Sequence, residues 1–200
     1  MPTHVALLRG INVGGHNKVA MEDLRKIVGS LGHTDAATYI QSGNVVFTAS
    51  AAQASAAQAS TAQASTAALA EAMEQAISAA LGVHPRVVVL SRAEVEQIVR
   101  DNPYSGEPDP KKVHAVILSA TPGPGVADAV AAATREFAER GSRDTAQVIG
   151  RTIFLHTPDG FGRSDLAALV TRPTVPGSPE LTTTARNWAT VLKLLAMCGS

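Results

Sequence analysis

The order of the first segments constrains this chain most. HVALL at 4–8 is a short apolar run of strand type. Met21, Leu24, Ile27, Val28 and Leu31 then recur at helical spacing, with Gly32 as a C-terminal stop. Residues 38–41 and 44–47 read as two strands around a tight turn at Ser42-Gly43. Leu69, Met73, Ile77 and Leu81 form a second helical stripe closed by Gly82, and residues 86–90 are β-branched and strand-like. Strand, helix, strand, strand, helix, strand over 4–90 predicts a ferredoxin-like α+β unit on one antiparallel sheet.

A tract of Ala, Gln, Ser and Thr at 51–66 interrupts this order between the third strand and the second helix. Its pentad repeat matches neither the helical nor the strand period. It reads as a solvated insertion, partly helical through its Ala and Gln, at a junction that tolerates one. After residue 90, Ser91-Arg-Ala-Glu94 has the form of a capping box opening a helix that Asn102-Pro103 stops. The Pro- and charge-rich stretch 103–112 follows, then a strand at 113–118, a helix through Val126, Val130 and Phe137, and a hairpin of 146–149 with 152–155. A short helix at 164–170, a loop at 171–181 and a last helix over 184–197 complete the chain. This predicts two parts, 1–90 and 91–200, the second a degenerate α+β unit ending in a helix.

Four segments together resemble a bacterial family catalogued as domain of unknown function 1697: LLRGINVGG at 7–15, M-x-x-L at 21–24, TYIQSGNVVF at 38–47 and TARNWATVLKL at 184–194. Order and spacing match over nearly the whole chain apart from the Ala/Gln tract. The resemblance implies a two-part α+β fold with a ferredoxin-like first half, and it implies no assigned reaction.

Composition narrows the function classes. Lys plus Arg and Asp plus Glu each number 17, so the whole chain is neither a strongly basic nucleic-acid binder nor an acidic tail. One cysteine, Cys198, excludes an intrachain disulfide and a Cys-based zinc site, and it is expected in a frayed end as a poor nucleophile. The six histidines fall singly, so no metal and no cofactor is expected. Glu107 and Asp109 are expected in solvent. No apolar run spans a membrane, and the first residues lack the form of a signal peptide, so a cytoplasmic chain is expected, as a monomer or homodimer.

The candidate ligand-binding residues gather in three motifs. In the loop after the first strand, Gly14 and Gly15 can expose backbone N–H groups to an anion, with Arg9 and Asn12 beside them. The plainer reading is that these glycines only permit a tight connection. In the QSGN turn, Gly43 serves the turn, while the amides of Gln41 and Asn44 are available to a ligand. On the last helix, Arg186, Thr190 and Lys193 share a face, with Asn187 adjacent and Trp188 toward the core. Arg186 in a first turn opposes the helix dipole, which suggests an anionic partner. A weaker anion site is Gly160, Gly162, Arg163 and Ser164, where Ser164 also reads as a plain N-cap. No general acid or base stands out. The expectation is a binding protein for an anionic ligand, phosphorylated or nucleic-acid-like, in a cleft between the halves. The alternatives are a small enzyme acting on a phosphate-bearing substrate and a dimerisation module without a small ligand.

Overall fold

The structure is a computed structural model in which residues 1–50, 62–172, 178 and 180–199 are described. The elements run β1 (His4–Arg9), α1 (Met21–Ser30), β2 (Thr34–Tyr39), β3 (Asn44–Thr48), α2 (Ala62–Leu81), β4 (Arg86–Ser91), α3 (Arg92–Arg100), β5 (Val113–Leu118), α4 (Pro124–Glu139), β6 (Thr145–Ile149), β7 (Thr152–His156), a 3-10 turn (Phe161–Arg163), α5 (Asp165–Val170), β8 (Thr183–Asn187) and α6 (Trp188–Cys198). The chain divides into two compact units, Met1–Glu96 with Lys193–Ser200, and Gln97–Leu192.

The first sheet has the order β2-β3-β1-β4, all antiparallel. That is the ferredoxin-like arrangement its element order predicts. Ala6 and Leu8 face the helices with Val45, Phe47, Val87 and Val89. They pack against Leu24, Ile27 and Val28 of α1 and Leu69, Met73 and Ile77 of α2. On the opposite face Val5, Leu7, Val46, Val88 and Leu90 are each at most 2% exposed. Burial on both faces explains why β1 and β4 read as unbroken apolar runs instead of alternating ones. Gly82, at φ +63, ends α2 with its N–H donating to Ser78. Residues 51–61 of the Ala/Gln tract lie outside the described residues; from Ala62 its remainder belongs to α2.

The second unit corrects the sequence reading. It is a complete repeat of the same topology, with sheet order β6-β7-β5-β8. The missing strand is β8, which lies where the last helix was expected to begin. Thr183–Asn187 pair antiparallel with β5, from Leu118↔Thr183 to His114↔Asn187. Helix α6 starts only at Trp188, where the Asn187 side chain accepts from the Ala189 N–H as an N-cap. Val116, Leu118, Ile153 and Leu155 form the core of this unit with Val126, Val130, Leu166 and Val170. Phe154 packs edge-on to Trp188 at 6.3 Å, so the indole is core as expected.

The first hairpin also differs from expectation. β2 begins at Thr34, carries an irregularity between Thr34 and Ala37, and ends at Tyr39, so Ile40 and Gln41 belong to the turn. Cys198 is not frayed. It is fully buried at the end of α6, its carbonyl accepts from Arg92 Nη1 at 3.1 Å, and burial raises its thiol pKa. It remains a poor nucleophile, for the opposite reason.

Candidate functional site

The loop leaving β1 is held by two asparagines in the left-handed region, Asn12 at φ +54 and Asn17 at φ +50. Asn12 uses its whole amide. Its Nδ2 donates to the carbonyls of Val19 (3.0 Å) and Gln41 (2.9 Å), and its Oδ1 accepts from the Val19 N–H at 2.9 Å. Asn17 Nδ2 donates to the Gly10 carbonyl at 2.9 Å. Asn12 therefore clamps the 10–20 loop to the 40–43 turn, with Ile11 and Val19 buried beneath as anchors.

The turn is locked from its other side. Gly43 lies at φ +80, and a Cβ there would stand 2.8 Å from Leu8 Cβ and Ile11 Cδ1. Its carbonyl accepts from the Leu8 N–H at 2.8 Å. Asn44 is fully buried, with Nδ2 donating to the Tyr39 carbonyl and to Ser42 Oγ, both at 3.0 Å. The amides of Asn12 and Asn44, read from sequence as groups a ligand could use, are thus committed to backbone and turn.

What the tip of the first unit exposes is different. Gly10, Gly14 and Gly15 are exposed in left-handed backbone, and His16, Lys18 and Gln41 are exposed beside them. The N–H groups of Gly14 and Gly15 donate to nothing among the described residues. Arg9 is partly buried where β1 enters the loop, and desolvation lowers its pKa. No acidic residue occurs over 1–21 or 40–44, so the tip carries one sign of charge. Val13 and Ile40 stand on it 67% and 51% exposed.

Arg186 is not a helical residue, so the dipole misfit read from sequence does not exist. It sits on β8 opposite Ala115, 8% exposed. Its Nη1 donates to Thr184 Oγ1 at 2.7 Å and to the Ala185 carbonyl at 2.8 Å. Burial lowers its pKa to about 10, which leaves it a cation at neutral pH. The expected polar face of the last helix is also dissolved: Thr190 is buried, Lys193 is exposed, and Leu192 is 42% exposed. Arg186 and Asn187 belong to the second unit, and Lys193 to the first.

In the second unit Ser164 is the N-cap it reads as, its Oγ accepting from the Ala167 N–H at 2.8 Å. Gly160, at φ +103, makes the turn before it. Gly160, Arg163 and Ser164 line a cavity of about 260 Å³, and Gly162 is not among its walls.

Sequence reasoning missed one pair. Glu107, expected in solvent, meets His156 Nε2 at 2.8 Å through Oε2, while its Oε1 accepts from the Asp109 N–H. Both side chains are largely covered, and Tyr104 stacks on the imidazole at 5.4 Å. These bonds hold the Glu107 carboxyl pKa below its usual value, the Asp109 N–H first and His156 next. The topology could have found this pair. His156 ends β7 opposite Val113, the first residue of β5, so the 103–112 loop must arrive beside it. Among the described residues, no group of three or more His, Cys, Asp or Glu stands close enough to hold a metal ion, and no helix is long and apolar enough to cross a membrane.

The chain is similar to the solved structure of the conserved bacterial protein SP0830 from Streptococcus pneumoniae, with 24% sequence identity, 98% of each chain covered and a TM-score of 0.65. At that identity the likeness concerns the fold. No curated protein matches. The family described as "Protein of unknown function (DUF1697)" matches residues 1–154. That span takes in both asparagine-locked motifs of the tip and most of the second sheet, and the chain belongs to this family.

Proposed function

We propose that this chain is a binding protein for an anionic ligand, and that the group it recognises is phosphate, carried by a small molecule or a nucleic acid. The observation that carries this reading is the rigid, acid-free tip. The N–H groups of the exposed, adjacent Gly14 and Gly15 have no acceptor among the described residues, and Arg9, His16 and Lys18 lie in the same strand end and loop. Oriented N–H groups and nearby cations are how a protein holds an anion without a metal. The clamp by Asn12 and Asn44 means that the loop is already shaped, so a ligand does not meet the entropic cost of ordering it. The exposed side chains of Val13 and Ile40 favour the nucleic-acid-like ligand of the two, because its bases offer apolar faces that a free phosphate lacks.

The test is a binding series at low and moderate salt with pyrophosphate, sugar phosphates and short single-stranded RNA and DNA. Lys18→Ala should weaken binding roughly three- to tenfold and reduce the salt slope by about one, as expected for one lost phosphate contact. Arg9→Ala should act in the same direction. A ligand at 100 times its Kd raises stability by about 2.7 kcal/mol, a melting shift of roughly 5–10 °C. Absence of any shift with every phosphate compound at low salt overturns the reading.

A further inference from the structure

An open sheet edge is a row of backbone donors and acceptors that another strand can join. The sheet orders leave β2 and β4 at the edges of the first unit, and β6 and β8 at those of the second. Three of these edges are blunted. β2 loses its regular pairing between Thr34 and Ala37, where Asp35 stands at φ +54. On β4 the Val87 and Ser91 N–H groups donate to the carboxylates of Glu74 and Glu94, both at 2.7 Å. On β8 the Ala185 carbonyl accepts from the Arg186 guanidinium.

β6 carries none of these devices. Its sequence, TAQVI, holds no charge, proline or glycine, and it pairs with β7 in unbroken register. That register also tells which backbone groups are spare, because alternate residues of an antiparallel strand bond to opposite neighbours. The Leu118 N–H donates to the Arg151 carbonyl, so along β7 it is Ile153 and Leu155 that bond to β5. Thr152, Phe154 and His156 then bond to β6, at Ile149, Gln147 and Thr145. The N–H and carbonyl groups of Ala146 and Val148 point outward, and they have no partner among the described residues. Thr145 and Gln147 are exposed, and the Gln147 amide bonds to no described residue.

We propose that β6 is a homodimer interface, at which two copies of this chain pair their β6 strands antiparallel about a two-fold axis at Gln147. The register is self-complementary. Ala146 of one copy stands opposite Val148 of the other, so every outward N–H meets an outward carbonyl. Two four-stranded sheets become one of eight strands. Gln147 meets its own copy on the axis, in the closer kind of antiparallel pair, and each amide there can donate to the other and accept from it. Thr145 stands opposite Ile149 on the same face, a pair of β-branched side chains. Residues 145–149 are uncharged, so the symmetry sets no like charges against each other within the paired segment. This match favours a second copy over a foreign strand, which satisfies the backbone without the side-chain pairs.

The experiment is sedimentation equilibrium of the full chain from micromolar to millimolar concentration, with amide hydrogen exchange at both ends of that range. The mass should rise from one chain toward two, and the Ala146 and Val148 amides should exchange more slowly at the high end. Gln147→Lys changes an exposed side chain. It should leave the melting temperature of the dilute chain unchanged and weaken the dimer at least about tenfold, by setting two cations face to face. Mixing equal parts of the Gln147→Lys and Gln147→Glu variants should restore pairing, a rescue that a folding defect does not give. The mass of one chain at every concentration overturns the proposal. So does a dimer that Gln147→Lys leaves intact, or one in which the two amides exchange no more slowly. Protection of those amides only by an added, unrelated extended peptide overturns it in favour of a foreign strand.

Discussion

At Gly43 two independent demands meet in one residue. The backbone is left-handed, and the space a Cβ needs is taken by Leu8 and Ile11. Gly43→Ala should therefore cost about 2–4 kcal/mol, the sum of left-handed strain and overpacking. A urea denaturation series measures this; a loss below about 0.5 kcal/mol, the scale of an ordinary surface substitution, would mean that the turn relaxes freely. The need for glycine here was legible in sequence, as Ser-Gly between two strands. The roles of Asn12 and Asn44 were not. An amide that braces a loop and an amide that waits for a ligand are the same residue in a sequence, and only the position of Val19, Gln41 and Tyr39 around them tells which.

At the scale of elements, local chemistry predicted well wherever it was self-sufficient. The capping box closes as read: the Ser91 N–H donates to Glu94 Oε2 at 2.7 Å, and the Glu94 N–H donates to Ser91 Oγ at 3.3 Å. Ser91→Ala should lower stability by about 1 kcal/mol, measured by chemical denaturation, with Ser91→Thr retaining most of it. Local chemistry failed at β8. TARNW continues the apolar spacing of the helix that follows, and Ala and Arg propagate helix well. What makes 183–187 a strand is five residue pairs with β5 across a long sequence separation. Thr183 and Thr184, β-branched at the start of the segment, were the available signal.

Over the whole molecule, buried histidines set the acid response. Burial lowers the pKa of His114 to about 4, stacked 4.1 Å from Phe161 and with Nδ1 buried and unpartnered. Burial also lowers His4 and His33. With folded values below the unfolded value, the unfolded chain binds more protons between them. Stability is fully present above about pH 6.5 and falls as pH drops toward 4, with His114 contributing up to about 1.4 kcal/mol per pH unit. His114→Leu should flatten that limb in urea midpoints measured from pH 7 to 4.5; an unchanged slope would mean that His114 charges without loss in the fold. The carboxylates held low by partners, Asp35, Glu107 and Asp159, add their loss at still lower pH.

The sequence by itself determined the element order of the first ferredoxin-like unit, both helical stripes, the caps at Ser91 and Ser164 and the glycine of the 42–43 turn. These depend on side-chain periodicity and on bonds between residues a few positions apart. The tertiary structure decided the second unit's last strand, the committed amides of the tip, the burial of Arg186 and Cys198 and the Glu107–His156 pair. Each of those depends on neighbours brought together from distant parts of the chain. Pairing with a sheet edge outweighs local helix preference, and burial changes what a charged or polar side chain can do.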